Sequence, residues 1–144
     1  MNFKIVFWTL LTLASSSLFG QTIKKCDGTV LHLTSGKIGK LNQKEITDFL
    51  LTFGKECRDN VEYTEWSNEL LFDVLSNQTE LTLKAIQKEK NKIDFDEILD
   101  VISSPLLDEN IGKLKEKVKG TKVDAQLKQT ILDKLTIAQN SNKN

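Results

Sequence analysis

From Leu41 onward, apolar residues recur every three or four positions, the spacing of a helix with one buried face. The clearest unit is LNQKEITDFLLTFG, Leu41 to Gly54. Ile46, Phe49, Leu50 and Phe53 share a face. Asn42 stands at a cap position with Glu45 three residues on, the spacing of a capping box, and Leu41 and Ile46 occupy the positions of a hydrophobic staple. Gly54 supplies a C-terminal stop.

TEWSNELLFDVLS follows, with Thr64 as its expected cap. Trp66, Leu70, Leu71, Val74 and Leu75 give it a broad apolar face, and Phe72 extends that face. This helix is expected to be the most buried. NQTELTLKAIQKEK opens on a second box-like pair, Asn77 and Glu80. IDFDEILDVISSP opens on a third, Asp94 and Glu97, with Ile93 and Ile98 at staple positions. Its stripe is Phe95, Ile98, Leu99 and Ile102, and Pro105 ends it by disfavouring helix at Ser104. A weaker helix runs from Asp108, carrying Ile111, Leu114 and Val118. Gly112 costs it about 1 kcal/mol relative to alanine, and Gly120 stops it. The last helix begins near Thr121 or Asp124 and buries Leu127, Ile131, Leu135 and Ala138. Residues 139–144 are expected to be a disordered polar tail with nothing to pack.

Residues 21–41 read differently. Asp27-Gly28, Ser35-Gly36 and Gly39 are turn signals around TVLHLT, Thr29 to Thr34. β-branched and apolar residues so bounded suit a short strand or an extended cover segment. The expected fold is therefore all-α, with about six helices in residues 42–138 behind an irregular or β-like segment. Helix starts at Thr64, Asp94 and Thr121 or Asp124 fall roughly 30 residues apart. That spacing allows stacked αα-hairpins, weakly like HEAT or armadillo pairs, or a compact bundle.

The N-terminus changes the picture of where the chain lives. Lys4, the apolar run Ile5 to Leu13 and the small residues Ala14 to Ser17 form the three parts of a secretory signal peptide, with cleavage expected after Gly20 or Ser17. The apolar core is shorter than the roughly 20 residues that span a bilayer. Cys26 lies too far beyond Gly20 for the cysteine of a lipoprotein cleavage site. The protein is therefore expected to be exported, periplasmic or secreted, with no stable membrane insertion after cleavage. Export also favours pairing of the two cysteines, Cys26 and Cys57. With His32 as the single histidine, a four-ligand zinc site is a poor rival. A thiol–histidine pair would need a reduced cysteine.

Charge narrows the partners. The 144 residues carry 20 Lys+Arg and 20 Asp+Glu. Lys4 is the only charged residue of the signal segment, so one basic charge goes with it. This balance argues against nucleic acid as a partner, because that binding rests on neutralising phosphate. Arg58 is the lone arginine. The lysines from Lys113 to Lys122, interleaved with Leu114, Glu116 and Val118, read as a solvated helix face.

Candidate chemistry is sparse. Asp94, Asp96, Glu97 and Asp100 could suggest calcium, but the segment lacks the glycine of a calcium loop and its apolar residues keep core spacing. Asn77-Gln78-Thr79 matches a glycosylation acceptor. The densest mix of acids and aromatics is CRDNVEYTEWSNE, where Asp59, Glu62, Tyr63, Glu65 and Trp66 form a candidate binding surface. No phosphate-cradling loop, GxSxG or HExxH occurs, and no residue set implies a cofactor. The expectation is a non-enzymatic module that binds another protein. The alternative is a small hydrolase or carbohydrate-binding protein using Asp59–Trp66.

Overall fold

The computed structural model describes residues 22–107 and 110–141, so the signal segment expected at residues 1–20 lies outside the described residues. The fold is all-α. In chain order the helices of the described residues are α1 (Gly28–Ser35), α2 (Gln43–Leu51), α3 (Val61–Asn77), α4 (Thr79–Glu89), α5 (Phe95–Ser103), α6 (Ile111–Lys119) and α7 (Ala125–Ser141), with a 3-10 turn at Lys55–Cys57. Helix α3 packs against α1, α4, α5 and α6 and is the centre of the structure. It buries eight residues, Phe72 and Leu71 completely. Helix α2 packs on α1 and α4, while α7 packs on both α5 and α6. The α5–α6 pair is thus joined mainly through α7 rather than as a simple hairpin.

The segment Thr29–Thr34 is a helix, neither strand nor extended cover. Asp27 is its cap, and its carboxylate accepts from the backbone N–H of Thr29 at 3.0 Å and of Val30 at 3.4 Å. Those bonds satisfy N–H groups that a helix start leaves open. Leu31 is wholly buried and Thr34 nearly so, which fixes one face against α2 and α3. Tertiary burial outweighs the β-branched propensity of Thr29, Val30 and Thr34. Gly39, in left-handed backbone at φ 79°, turns the chain toward α2.

Helix α2 begins with the capping box. Asn42 Oδ1 accepts from Glu45 N at 3.0 Å, and Glu45 Oε2 accepts from Asn42 N at 2.9 Å. Leu41 and Ile46 are both buried, as a staple requires. The end of α2 differs from expectation. Gly54 lies beyond the cap in extended backbone, φ −171°, which any residue adopts. The open carbonyls are closed by tertiary contacts instead. The Thr52 carbonyl accepts from Cys26 N at 2.8 Å and from the Tyr63 hydroxyl at 2.9 Å, and the Lys25 ammonium donates to the Phe53 carbonyl.

Three other helix starts are revised. Asn60, not Thr64, caps α3, its side chain accepting from Tyr63 N at 3.1 Å. Asn77 is the last residue of α3 and donates back to the Asp73 carbonyl, so it makes no box with Glu80. Gln78, at the junction, bonds both Leu41 N (3.0 Å) and Leu41 O (2.7 Å) and ties α4 to the start of α2. Asp94 does cap α5, accepting from Glu97 N at 3.1 Å. The Glu97 carboxylate does not reach back to complete a box; it faces Arg58. Asp108 lies outside the described residues, and α6 starts at Ile111 behind the Asn110 cap. The polar tail is helical through Ser141, with Gln139 Oε1 3.2 Å from Lys115 Nζ. Residues 142–144 lie outside the described residues.

Candidate functional site

Cys26 and Cys57 form a disulfide, with Cα atoms 5.4 Å apart. The bond fastens the segment ahead of α1 to the 3-10 turn beyond α2. Around it lies the closed end of α2 described above. The Tyr63 hydroxyl donates to the Thr52 carbonyl and stands 2.7 Å from the Thr52 hydroxyl, which itself donates to the Phe49 carbonyl at 2.7 Å. Burial pushes the Tyr63 phenol up to about 12, because desolvation disfavours the phenolate.

The five residues of the Asp59–Trp66 surface do not stay together. Tyr63 is 5% exposed and belongs to the core. Asp59, Glu62 and Glu65 are exposed, and Trp66 is half-buried. The Trp66 ring meets the His32 ring edge-on at 6.5 Å between centroids, so α1 forms one flank of α3. Glu62 and Glu65 lie one turn apart on α3, and Asp59 precedes its Asn60 cap.

Two more carboxylates, missed from the sequence, continue the line. Glu62, Glu65, Glu69 and Asp73 follow at intervals of three and four and so run down one face of α3. None of them has an ion-pair partner among the described residues. The signal for this was available, because no lysine or arginine occurs from Asp59 to Leu83. Like charges at such spacing cost a helix about 0.2–0.5 kcal/mol per pair.

The other flank of the stripe is set by Asn68. This buried amide donates to the Ser104 carbonyl at 3.0 Å and accepts from Leu106 N at 3.1 Å, holding the α5–α6 turn beside α3. Leu106 and its neighbour Leu107 are left more than half exposed. The large hydrophobics most exposed among the described residues are Leu33, Val61, Leu106, Leu107 and Ile137. Val61 opens α3 itself, Leu33 lies on the outer side of α1, and the two leucines follow the Asn68 clamp. Ile137, on α7, stands apart.

Of the acids weighed above against a calcium loop, Asp94 caps α5, and Glu97 and Asp100 are held by Arg58. Arg58 donates to Glu97 from Nε (3.0 Å) and Nη2 (2.6 Å), and to Asp100 from Nη2 at 2.9 Å. This fork raises the guanidinium above its ordinary value, the Glu97 hydrogen bond contributing most. Among the described residues, no three His, Cys, Asp or Glu side chains are grouped to hold a metal ion. The lysines of α6 lie outside its apolar stripe, and Lys117 reaches the Ser76 carbonyl at the end of α3. No described helix is long and apolar enough to cross a membrane.

No protein-family model, curated protein or solved structure matches this chain.

Proposed function

We propose that this chain is an exported, non-enzymatic protein that binds another protein through the outer face of α3 and its flanks. The Lys4, Ile5–Leu13 and Ala14–Gly20 pattern supports export to the periplasm or beyond. The Cys26–Cys57 bond supports it too, because disulfides persist where the surroundings are oxidising. The observation that carries the binding reading is a coincidence on one face. The unpaired carboxylates of α3 run between the His32–Trp66 contact on one side and the Asn68-held turn with exposed Leu106 and Leu107 on the other, and exposed Val61 opens the same helix. Exposed apolar groups gathered around charged residues are a feature of interaction surfaces. The hydrolase or carbohydrate reading is less well supported, since Tyr63 is turned into the core and is lost as a stacking surface.

The test is affinity capture from the exported fraction of cells that make the protein. The baits are the wild type and a Val61→Ser/Leu106→Ser variant, both changes being at exposed positions. A partner bound by the first bait and lost with the second is the expected result. Identical captures from the two baits, or none, reject this reading. N-terminal sequencing of the same material should begin near Gln21.

A further inference from the structure

We infer that the partner meets α3 with a cationic, amphipathic segment, a helix or extended peptide that carries lysine or arginine among apolar residues. The inference rests on the protein-binding reading above and names the chemistry of what binds.

A contrast within the chain carries it. On three other helices, surface carboxylates have a lysine one turn away: Lys44–Asp48 on α2, Glu80–Lys84 on α4 and Glu116–Lys119 on α6. On α3 the carboxylates of Glu62, Glu65, Glu69 and Asp73 stand one turn apart with no cation among them or paired to them from a described neighbour. The chain has 20 basic residues, and none falls between Asp59 and Leu83. The like charges repel one another along the ridge. A neutral partner leaves that repulsion in place, whereas a cationic one converts it to attraction.

Charge alone would hold little, since exposed ion pairs are screened by water and salt. The flanks supply the rest. His32, against Trp66, borders the stripe on the α1 side, and Leu106, held by Asn68, borders it on the other. From Glu62 to Asp73 the stripe runs about 16 Å at 1.5 Å per residue, the length of roughly three helical turns. A basic helix with apolar edges matches both its length and its chemistry. Phosphate backbones and anionic lipid surfaces carry the same sign as the stripe and are repelled by it.

Three synthetic amphipathic peptides of identical apolar pattern test this, with lysine, glutamine or glutamate at the polar positions. Each is titrated into the purified, disulfide-bonded protein while backbone amide shifts are followed by NMR. The lysine peptide is expected to shift α3, the His32–Leu33 turn of α1 and the Ser104–Leu106 turn. Its affinity should fall about tenfold between roughly 0.05 and 0.3 M salt, and about tenfold in a Glu62→Gln/Glu65→Gln/Glu69→Gln variant, as expected for a few exposed ion pairs lost together. Replacing the same three residues by lysine should transfer the preference to the glutamate peptide. Circular dichroism of both variants checks that the helices persist.

Equal binding of the lysine and glutamine peptides at this face overturns the cationic inference and leaves the protein-binding reading standing. Shifts confined to any other face, or none with all three peptides, overturn it as well. A photo-crosslinker at position 65 then separates the two claims. Adducts with a protein segment of neutral or acidic character, or with a second copy of this chain, keep protein binding and remove the cation. If no adduct forms above a control at Gln126, both fail.

Discussion

The backbone N–H of Cys26 donates to the carbonyl of Thr52 at 2.8 Å. The residue that carries the cross-link therefore also closes the end of α2, and it does so in left-handed backbone, φ 58°. Two separable contributions meet at one position. The bond spans 31 residues of sequence, and on the chain-entropy account a loop of that length is stabilised by about 3.5 kcal/mol.

A Cys26→Ala/Cys57→Ala variant should lose about 2–4 kcal/mol of unfolding free energy. A Cys26→Gly/Cys57→Ala variant should recover about 1 kcal/mol of that, because glycine enters left-handed backbone without a Cβ clash. Denaturant unfolding of the two proteins measures both. Equal stability of the pair would show that the Cys26 conformation carries no strain.

The phenol of Tyr63, pushed up to about 12 by burial, links stability to alkaline pH. Its folded value is raised above the unfolded one, so its contribution is complete below about pH 10 and is lost as pH rises toward about 12. The unfolded chain releases its phenolic proton first and gains from doing so. Tyr63→Phe should cost about 1–2 kcal/mol at neutral pH through the missing hydroxyl. It should also flatten the decline between those two pH values. Parallel stability–pH curves for the two proteins would contradict the linkage.

Leu31 is the one wholly buried apolar side chain of α1. Leu31→Ala should cost about 2–5 kcal/mol and loosen α1 before the rest. Hydrogen exchange would then show the amides from Val30 to Ser35 opening ahead of those in α3. Uniform opening across the molecule would show that Leu31 does not set the local stability of α1.

Caps discriminate between neighbouring asparagines. Asn42→Ala should cost about 1 kcal/mol as a lost cap. Asn77→Ala should cost less, since Asn77 bonds only to the exposed turn behind it. Gln78→Ala should cost more than Asn77→Ala, because it removes both bonds to Leu41.

The α3 stripe gives a prediction of opposite sign. Glu65 has like-charged neighbours on both adjacent turns, Glu62 and Glu69. Glu65→Gln should raise stability by a few tenths of a kcal/mol, and more at low ionic strength than at high. Thermal melts at two salt concentrations read both effects.

How much was legible depended on the range of the interaction. The Asn42–Glu45 box and the Ile46–Phe49–Leu50 stripe use partners three or four residues apart, and they stand as the pattern predicts. Helix α1 did not show, because its single strong anchor, Leu31, acquires meaning only against α2 and α3. Glu97 had the right spacing to cap, but a guanidinium 39 residues away holds its carboxylate. Tyr63 was misplaced for a different reason. Its neighbours in sequence are acidic, yet Tyr63, Leu70 and Val74 keep helical phase and all three are buried. Phase was readable there and outweighs local composition. The acidic stripe was readable too, as a stretch without a base, but only the packing of α1 and the Asn68 clamp show what borders it.

The cross-link has a chronology. Both cysteines lie in the first 57 residues of a 144-residue chain. A polypeptide made or threaded from its N-terminus presents Cys26 first and then, after the two short helices α1 and α2, the thiol it needs. The covalent closure can be complete while the 87 residues from Arg58 onward are still arriving. In that order, what arrives would meet a stapled template. Tyr63 is among the first side chains to reach it, and its hydroxyl bonds to the Thr52 carbonyl that Cys26 already occupies. With the disulfide formed first, helix α3, and through it the rest of the molecule, would be laid down on an end already closed.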